Sequence, residues 1–321
     1  MALALAVAAG LMAPSQAAEI PLRVIVFPGL QNLPIYAAQT KGLFARRGLK
    51  VDLHFTPNSM VLREGLAKGN YDLAHAAVDN AIAMVELAKV DVVVVMGGDN
   101  GLNGLYVQPD IRSIADLRGR TVAVDAPNTA YALQLYKMLA MNGVQRGEYT
   151  VKAVGGASSR LEALLKDKSY AASMLNLPHS VRAERGGLRS LGMAVQAIGP
   201  YQGSGAFATR SWARANEDTV VRYIQAYLEG LRWVKTPANK AESVALLVER
   251  LKLDPEVAGQ CSDVVADPAG GYATDARLDV EGFKNVLKLR AEIEGQWGGT
   301  PPSPEKYLDL SYYERALAGL R

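Results

Sequence analysis

Val24-Ile-Val-Phe-Pro-Gly-Leu-Gln-Asn-Leu-Pro-Ile-Tyr-Ala-Ala-Gln-Thr-Lys-Gly-Leu-Phe44 opens on a β-branched apolar run, breaks at Pro28-Gly29, and resumes with the small and apolar residues of a helix. The order is strand, polar loop, helix. Such a unit puts Gln31 and Asn32 at the C-terminal end of a buried strand and the N-terminal end of a helix, where free backbone N–H groups face outward. The same alternation recurs along the chain. Leu49, Val51, Leu53 and Phe55 alternate with Lys50, Asp52 and His54 as in a strand with one polar face. A helix carrying Leu62 and Leu66, capped by Ser59, then stops at Gly69, and a strand follows over Tyr71 to Ala76. Val92 to Met96 is almost wholly β-branched, as a central parallel strand should be, and empties into Gly97-Gly-Asp-Asn-Gly-Leu-Asn103.

A second series begins after Pro109. Ser113 to Gly119 reads as a capped helical turn, Thr121 to Val124 as a strand, and Asp125-Ala-Pro-Asn-Thr129 as the loop before a helix with Leu133 and Leu139. A strand near Thr150 to Val154, a helix from Ser158, a strand over Ala171 to Leu175 and the turn Asn176 to His179 complete it. Tyr201 to Gly205 is flexible by composition and leads into Ala206 to Thr209, a strand returning to the first half. Beyond it the chain is nearly all helix. Val220, Ile224, Tyr227, Leu228 and Leu231 share a face, as do Val244, Leu247, Val248 and Leu251, and then Val280, Phe283 and Leu287. These stripes are core packing.

The expected fold class is therefore α/β with two lobes, each a mostly parallel sheet flanked by helices, joined by two hinge crossings. Residues 18–107 and 205–321 form a discontinuous first lobe, and residues 108–204 an inserted second lobe. With 321 residues, 49% of them hydrophobic, the chain is long enough for both. Residues 1–17 read as a signal peptide: Ala2 to Met12 is too short to span a bilayer, and Ser15-Gln16-Ala17 offers small residues before a cut. The expected location is the periplasm. Cys261 is the only cysteine, so no internal disulfide forms. A net charge of +3 without a basic, aromatic-interleaved cluster points away from nucleic acid.

Five polar loops occupy the same topological place, the outlet of a strand beside a helix start: Gln31-Asn32, Val78-Asp79-Asn80, Asp99 to Asn103, Asp125 to Thr129, and Asn176 to His179. Asn32, Asp79, Asn128 and Asn176 are good N-caps, and capping alone accounts for any one of them. Coming from both halves, the loops converge at strand C-termini, which is also how a ligand cradle is built. Helix N-termini there hold a carboxylate, sulfonate, nitrate or phosphate without any Lys or Arg. Asp79, Asp99 and Asp125 complicate a purely anionic ligand, because an aspartate accepts from an amine, amide or hydroxyl. The candidate ligand residues are Gln31, Asn32, Asp79, Asn80, Asn100, Asn128, Thr129, Asn176 and Gln202. Tyr36, Tyr131 and Tyr201 are near enough to wall the cleft, and His75 and His179 to approach it. No catalytic motif is visible: there is no GxSxG, HExxH, CxxC or P-loop, and three scattered histidines do not make a zinc site. Neither a metal nor a cofactor is expected.

Gln31 to Phe44, Gly48-Leu-Lys-Val-Asp52, Leu66-Ala-Lys-Gly-Asn-Tyr-Asp-Leu-Ala74 and Ser113-Ile-Ala-Asp-Leu-Arg-Gly-Arg-Thr-Val122 together resemble the periplasmic solute-binding proteins of ABC importers. The similarity is to those for alkanesulfonates, taurine and nitrate, with the related thiamine-pyrimidine-precursor binders, and runs from about Pro21 to Trp233. It implies a monomeric two-lobed receptor that closes on a small organic solute, anionic or of mixed polarity, and delivers it to a membrane permease. By position Gln31 and Asn32 match the first-strand loop of that family, Asp79 and Asn80 its third-strand loop, and Asn128 and Thr129 the first helix start of the inserted lobe. Val78-Asp79-Asn80 and Pro127-Asn128 stand where many members carry a Gly/Ser-rich turn, which speaks against a simple sulfonate or nitrate. The competing expectation is an enzyme on the same scaffold, such as a pyrimidine-precursor synthase or a chorismate dehydratase. The former lacks its cysteine-rich iron motif here. A two-component sensor lobe is disfavoured because no membrane helix or kinase segment follows.

Overall fold

The computed structural model describes residues 18–267 and 271–320, so the expected signal peptide lies outside the described residues. The strands are β1 (Ile20–Val26), β2 (Leu49–Phe55), β3 (Leu73–Ala77), β4 (Val92–Met96), β5 (Gly104–Val107), β6 (Thr121–Val124), β7 (Thr150–Ala153), β8 (Tyr170–Leu175), β9 (Arg189–Met193) and β10 (Ser204–Thr209). Between them run α1 (Leu33–Thr40), α2 (Ser59–Ala67), α3 (Asp79–Glu86), α4 (Ala130–Met141), α5 (Ala157–Lys166), α6 (His179–Arg185) and α7 (Ala194–Ile198). The C-terminal part adds α8 (Arg210–Ala215), α9 (Glu217–Lys235), α10 (Lys240–Leu251), α11 (Pro255–Ala266), α12 (Val280–Glu294) and α13 (Ser311–Ala318).

Two five-stranded sheets result, ordered β2-β1-β3-β10-β4 and β7-β6-β8-β5-β9. Neighbouring β1, β2 and β3 are parallel, as are β6, β7 and β8. The exchanged strand is the antiparallel one in each: β10 against β3 and β4, β5 against β8 and β9. Helices cover both faces of a sheet of this kind, so its central strands are apolar on both sides. Val92, Val93, Val94, Val95 and Met96 accordingly show no exposed surface. Burying one such side chain stabilises by about 1.5–3 kcal/mol relative to leaving it in water.

Three expectations are corrected. Gly104–Val107, expected in the first lobe, pairs in the second sheet, so the first crossing lies within residues 97–103. Ser59 does not cap α2; Asn58 does, its side chain accepting from Val61 N at 2.9 Å. Val280 is 43% exposed, and the apolar stripe of α12 begins at Phe283, which is fully buried with Leu287. The face of α9 is buried as expected: Val220, Ile224, Tyr227, Leu228 and Leu231 pack in the first-lobe core with α1 residues. Cys261 is fully buried in α11, and burial pushes its thiol up to about 12.

Candidate ligand cleft between the two sheets

A cavity of about 180 Å³ lies between the sheets. Its lining follows from the strand directions. The chain leaves β1 at Phe27 and Pro28, β2 at Thr56 and Pro57, and β3 through Ala77 to Asn80; Asp99 and Gly101 follow β4, and Asp125 follows β6. Gly156 follows β7, Asn176 follows β8, and Ser204 begins β10. All are C-terminal ends of parallel strands or the start of the antiparallel one, the crevice where α/β sheets hold ligands. Phe27, Leu30, Leu102, Tyr131, Leu177 and Tyr272 make much of the wall apolar. Tyr272 arrives from the C-terminal part, where its backbone bridges to Asp99.

The two sheets meet across this cavity. Ser59 N donates to Asp125 Oδ2 at 3.2 Å, the Ser59 hydroxyl donates to the same oxygen, and Gly156 N donates to the Pro57 carbonyl at 2.9 Å. Asp125 Oδ1 is buried and has no hydrogen-bond partner among the described residues. Asp99 is held by Gly101 N at 2.6 Å and by the Ser204 hydroxyl. Burial raises its pKa, and those two donors act in the opposite direction. Arg160, the guanidinium in the lining, is 1% exposed. It donates from Nε to Ser173 Oγ at 3.0 Å, from Nη1 to the Gly155 carbonyl at 2.7 Å and from Nη2 to the Met174 carbonyl at 3.0 Å. Burial lowers its pKa while nearby Asp125 and Tyr131 oppose that shift.

Of the expected ligand residues, Gln31, Asn80, Thr129 and Asn176 line the cavity. Each is also braced by the protein: Gln31 Nε2 donates to the Phe27 carbonyl at 3.0 Å, and Asn176 Nδ2 to the Tyr131 hydroxyl at 3.2 Å. Asn80 Oδ1 accepts from Arg63 Nε at 2.7 Å, and Thr129 Oγ1 donates to the Ala126 carbonyl at 2.9 Å. Asn32, Asp79, Asn100, Asn128 and Gln202 are outside the lining, for reasons their partners make plain. Asn32 Nδ2 turns to the Phe27 carbonyl at 2.7 Å. Asp79 is paired with Arg290, both buried, and Arg290 Nη2 also donates to the Asn128 carbonyl at 3.0 Å. Asn100 Oδ1 accepts from Leu102 N at 3.1 Å. Gln202 ties Ser204 to the start of α12, donating to the Ser204 carbonyl at 2.7 Å and accepting from Asp279 N at 2.7 Å.

Tyr131 walls the cleft, whereas Tyr36 and Tyr201 are buried elsewhere in the core. His75 and His179 also stay out of the lining. His75 is in the first-lobe interior, with Nδ1 3.2 Å from the Tyr223 hydroxyl. Among the lining residues that the expected ligand set leaves out are Thr56, Ser59, Asp99, Asp125, Ser158, Ser159, Arg160, Ser204 and Tyr272. The loop between β7 and α5 carried the available signal, Gly155-Gly156 ahead of Ser158-Ser159-Arg160. Tyr272 offered none, because only tertiary packing brings it to the cleft.

Residues 30–240 match the family model described as NMT1/THI5 like, about two thirds of the chain. A protein of Brachyspira hyodysenteriae that carries the name of an ABC-transporter periplasmic binding protein is 23% identical over 236 residues, spanning 68% of this chain and 67% of that one. The alkanesulfonate-binding protein SsuA of Xanthomonas axonopodis pv. citri, solved with MOPS bound, superposes with a TM-score of 0.72 at 21% identity, over 87% of this chain and 94% of that one. The desulfurization enzyme DszB shares the fold too, with a TM-score of 0.65 at 13% identity, over 94% and 99% of the two chains.

Proposed function

The chain belongs to the NMT1/THI5-like family, and from that premise we propose that it is the solute-binding component of an ABC importer, holding a small organic solute of mixed polarity between its two lobes. The observation that carries this reading is a cavity walled from both sheets at their strand ends, with hydrogen bonds already joining the lobes across it. Ligand contacts to both lobes stabilise the closed form, and the permease distinguishes closed from open. Residues 18–103 with 204–320 act as one lobe and residues 104–203 as the other, and the protein works as an exported monomer in the periplasm. No helix among the described residues is long and apolar enough to cross a membrane.

The fold alone does not separate receptor from enzyme, since DszB shares it. The lining favours the receptor: among the described residues it contains no cysteine or histidine, and its carboxylates accept from Ser59 and Ser204. Native mass spectrometry of the purified protein should show a bound small molecule, and removing that molecule should expand the protein in small-angle scattering. A protein that carries no solute and keeps one shape with every compound that raises its melting temperature contradicts the reading.

A further inference from the structure

Arg290 and Asp79 form a buried ion pair, and stability alone does not call for one there. Well-packed apolar side chains of the same volume commonly replace such a pair without loss. What they cannot reproduce is its direction. Arg290 Nε and Nη2 donate to the two carboxylate oxygens of Asp79, the forked arrangement that fixes a guanidinium in its plane, and Nη2 also donates to the Asn128 carbonyl at 3.0 Å. Asp79 opens α3, which follows β3 of the first sheet, whereas Asn128 lies in the loop between β6 of the second sheet and α4. One side chain therefore holds the starts of two helices that belong to different sheets.

Both helix starts face the cavity: Asn80 lines it from α3, and Thr129, Ala130 and Tyr131 line it from the beginning of α4. Arg290 reaches them from behind, because no residue of α12 is in the lining. The helix that carries it is firmly seated. Asp279, its N-cap, donates from N to Gln202 Oε1 at 2.7 Å, and a Cβ on Gly282 would lie 2.6 Å from Gln202 N, so α12 begins tight against the second crossing. Further along, Phe283 is buried beside Tyr307, Ile293 packs against the cores of both sheets, and Glu292 meets Lys137 of α4 at 2.6 Å. A rotation of the second sheet away from the first either turns about Arg290 or breaks its bond to Asn128.

We propose that Arg290 is a positioning residue for the cleft: from behind, its guanidinium registers the start of α4 against the start of α3 and so sets how far apart the two walls stand. What this spacing serves rests on the receptor reading, but the registration is measured with no solute present. Met60 on α2 and Leu165 on α5 are exposed, one beside each sheet, and Cys261 is fully buried and stays unlabelled. Met60→Cys and Leu165→Cys, introduced together and spin-labelled in protein dialysed free of small molecules, give the distance between the walls by pulsed EPR. Arg290→Lys, whose ammonium still meets Asp79 but lacks the fork, should lengthen or broaden that distance by more than about 2 Å, the scale of a domain rearrangement. Asp79→Asn loosens the hold on Arg290 from the other side, should have the same effect, and serves if Arg290→Lys does not fold. Phe283→Leu opens a void in the same helix away from Asn128; it should lower the melting temperature and leave the distance unchanged. A wild-type distance in folded Arg290→Lys, or failing it in Asp79→Asn, overturns the inference. Equal lengthening in Phe283→Leu does so too, because loosened packing would then account for the effect. Neither result touches the receptor reading, which falls separately if no solute is found with the purified protein.

Discussion

His75 is fully buried at the inner part of β3, its ring stacked on Tyr227 at a centroid distance of 4.7 Å. Burial draws its pKa down to about 3, and His179, 5% exposed, falls to about 4. Both are therefore neutral in the folded protein at neutral pH, while in the unfolded chain they titrate near the usual value of about 6.5. A depressed histidine favours the unfolded state only once the latter takes up a proton. The contribution to stability is thus intact above about pH 6.5 and is lost as pH falls toward the folded values, by up to about 1.4 kcal/mol per unit for each histidine. His75→Gln should flatten the fall in urea midpoint between about pH 6.5 and pH 5 relative to wild type. Parallel pH profiles for the two proteins would falsify the assignment. The loop asparagines show why residue roles were the least legible layer of the sequence. Asn32 and Asn128 were expected to cap a helix or touch a ligand, and neither side chain caps one. Asn32 secures the loop after β1, and Asn128 offers its carbonyl to Arg290, a partner 162 positions away. Side-chain type fixes what a residue can bond, but only the fold decides which partner arrives.

The elements themselves were easier to read where one physical signal dominated. The run at β4 can only be a buried strand, because five apolar, mostly β-branched residues are too few for a helix and unsuited to a loop. β9 is faint in the sequence because only Leu191 and Met193 of its five residues are large and apolar; it is an edge strand formed by pairing with β5. The affiliation of β5 was also hidden, since four buried residues fit either sheet and a long-range pairing chooses between them. At the crossings, composition signalled flexibility, but the structure shows close approach. A Cβ on Gly203 would lie 2.0 Å from Gly101 N and 2.6 Å from the Asn100 carbonyl carbon, both backbone atoms that must move to admit it. Gly203 is also tied to both neighbours, its N donating to the Asp99 carbonyl at 2.7 Å and its carbonyl accepting from Val78 N at 3.0 Å. Gly203→Ala should then cost about 2 kcal/mol or more in chemical denaturation, at the upper end of ordinary single substitutions. A variant within about 0.5 kcal/mol of wild type would mean that the crossings separate freely.

Taken whole, the two lobes touch at contacts of unequal strength. Buried at the centre is the Asp125–Ser59 pair, a hydrogen bond to a charged group of the kind that contributes about 1.5–3 kcal/mol. At the rim, Arg185 of α6 meets Asp254 at 3.5 Å and Glu256 at 2.9 Å, and Lys137 of α4 meets Glu292 of α12 at 2.6 Å. Arg185, Asp254 and Glu256 are 40%, 58% and 72% exposed, so solvent and salt screen them and each pair is worth only about 0–1 kcal/mol. On the receptor reading, closure is then expected to depend on buried contacts such as this pair and the Arg290 bond to the Asn128 carbonyl, with the rim trimming it. Arg185→Glu puts a like charge beside both acids and should shift the ligand-free protein toward the open form, read as a larger radius of gyration at low salt. Affinity for the co-purified solute should fall by no more than about fivefold, the equivalent of about 1 kcal/mol, and should recover as salt is raised. Global stability should change little, because the rim pairs join the lobes without holding either one folded. If this variant instead loses affinity as steeply as removal of the central pair does, the rim controls closure and the centre only trims it.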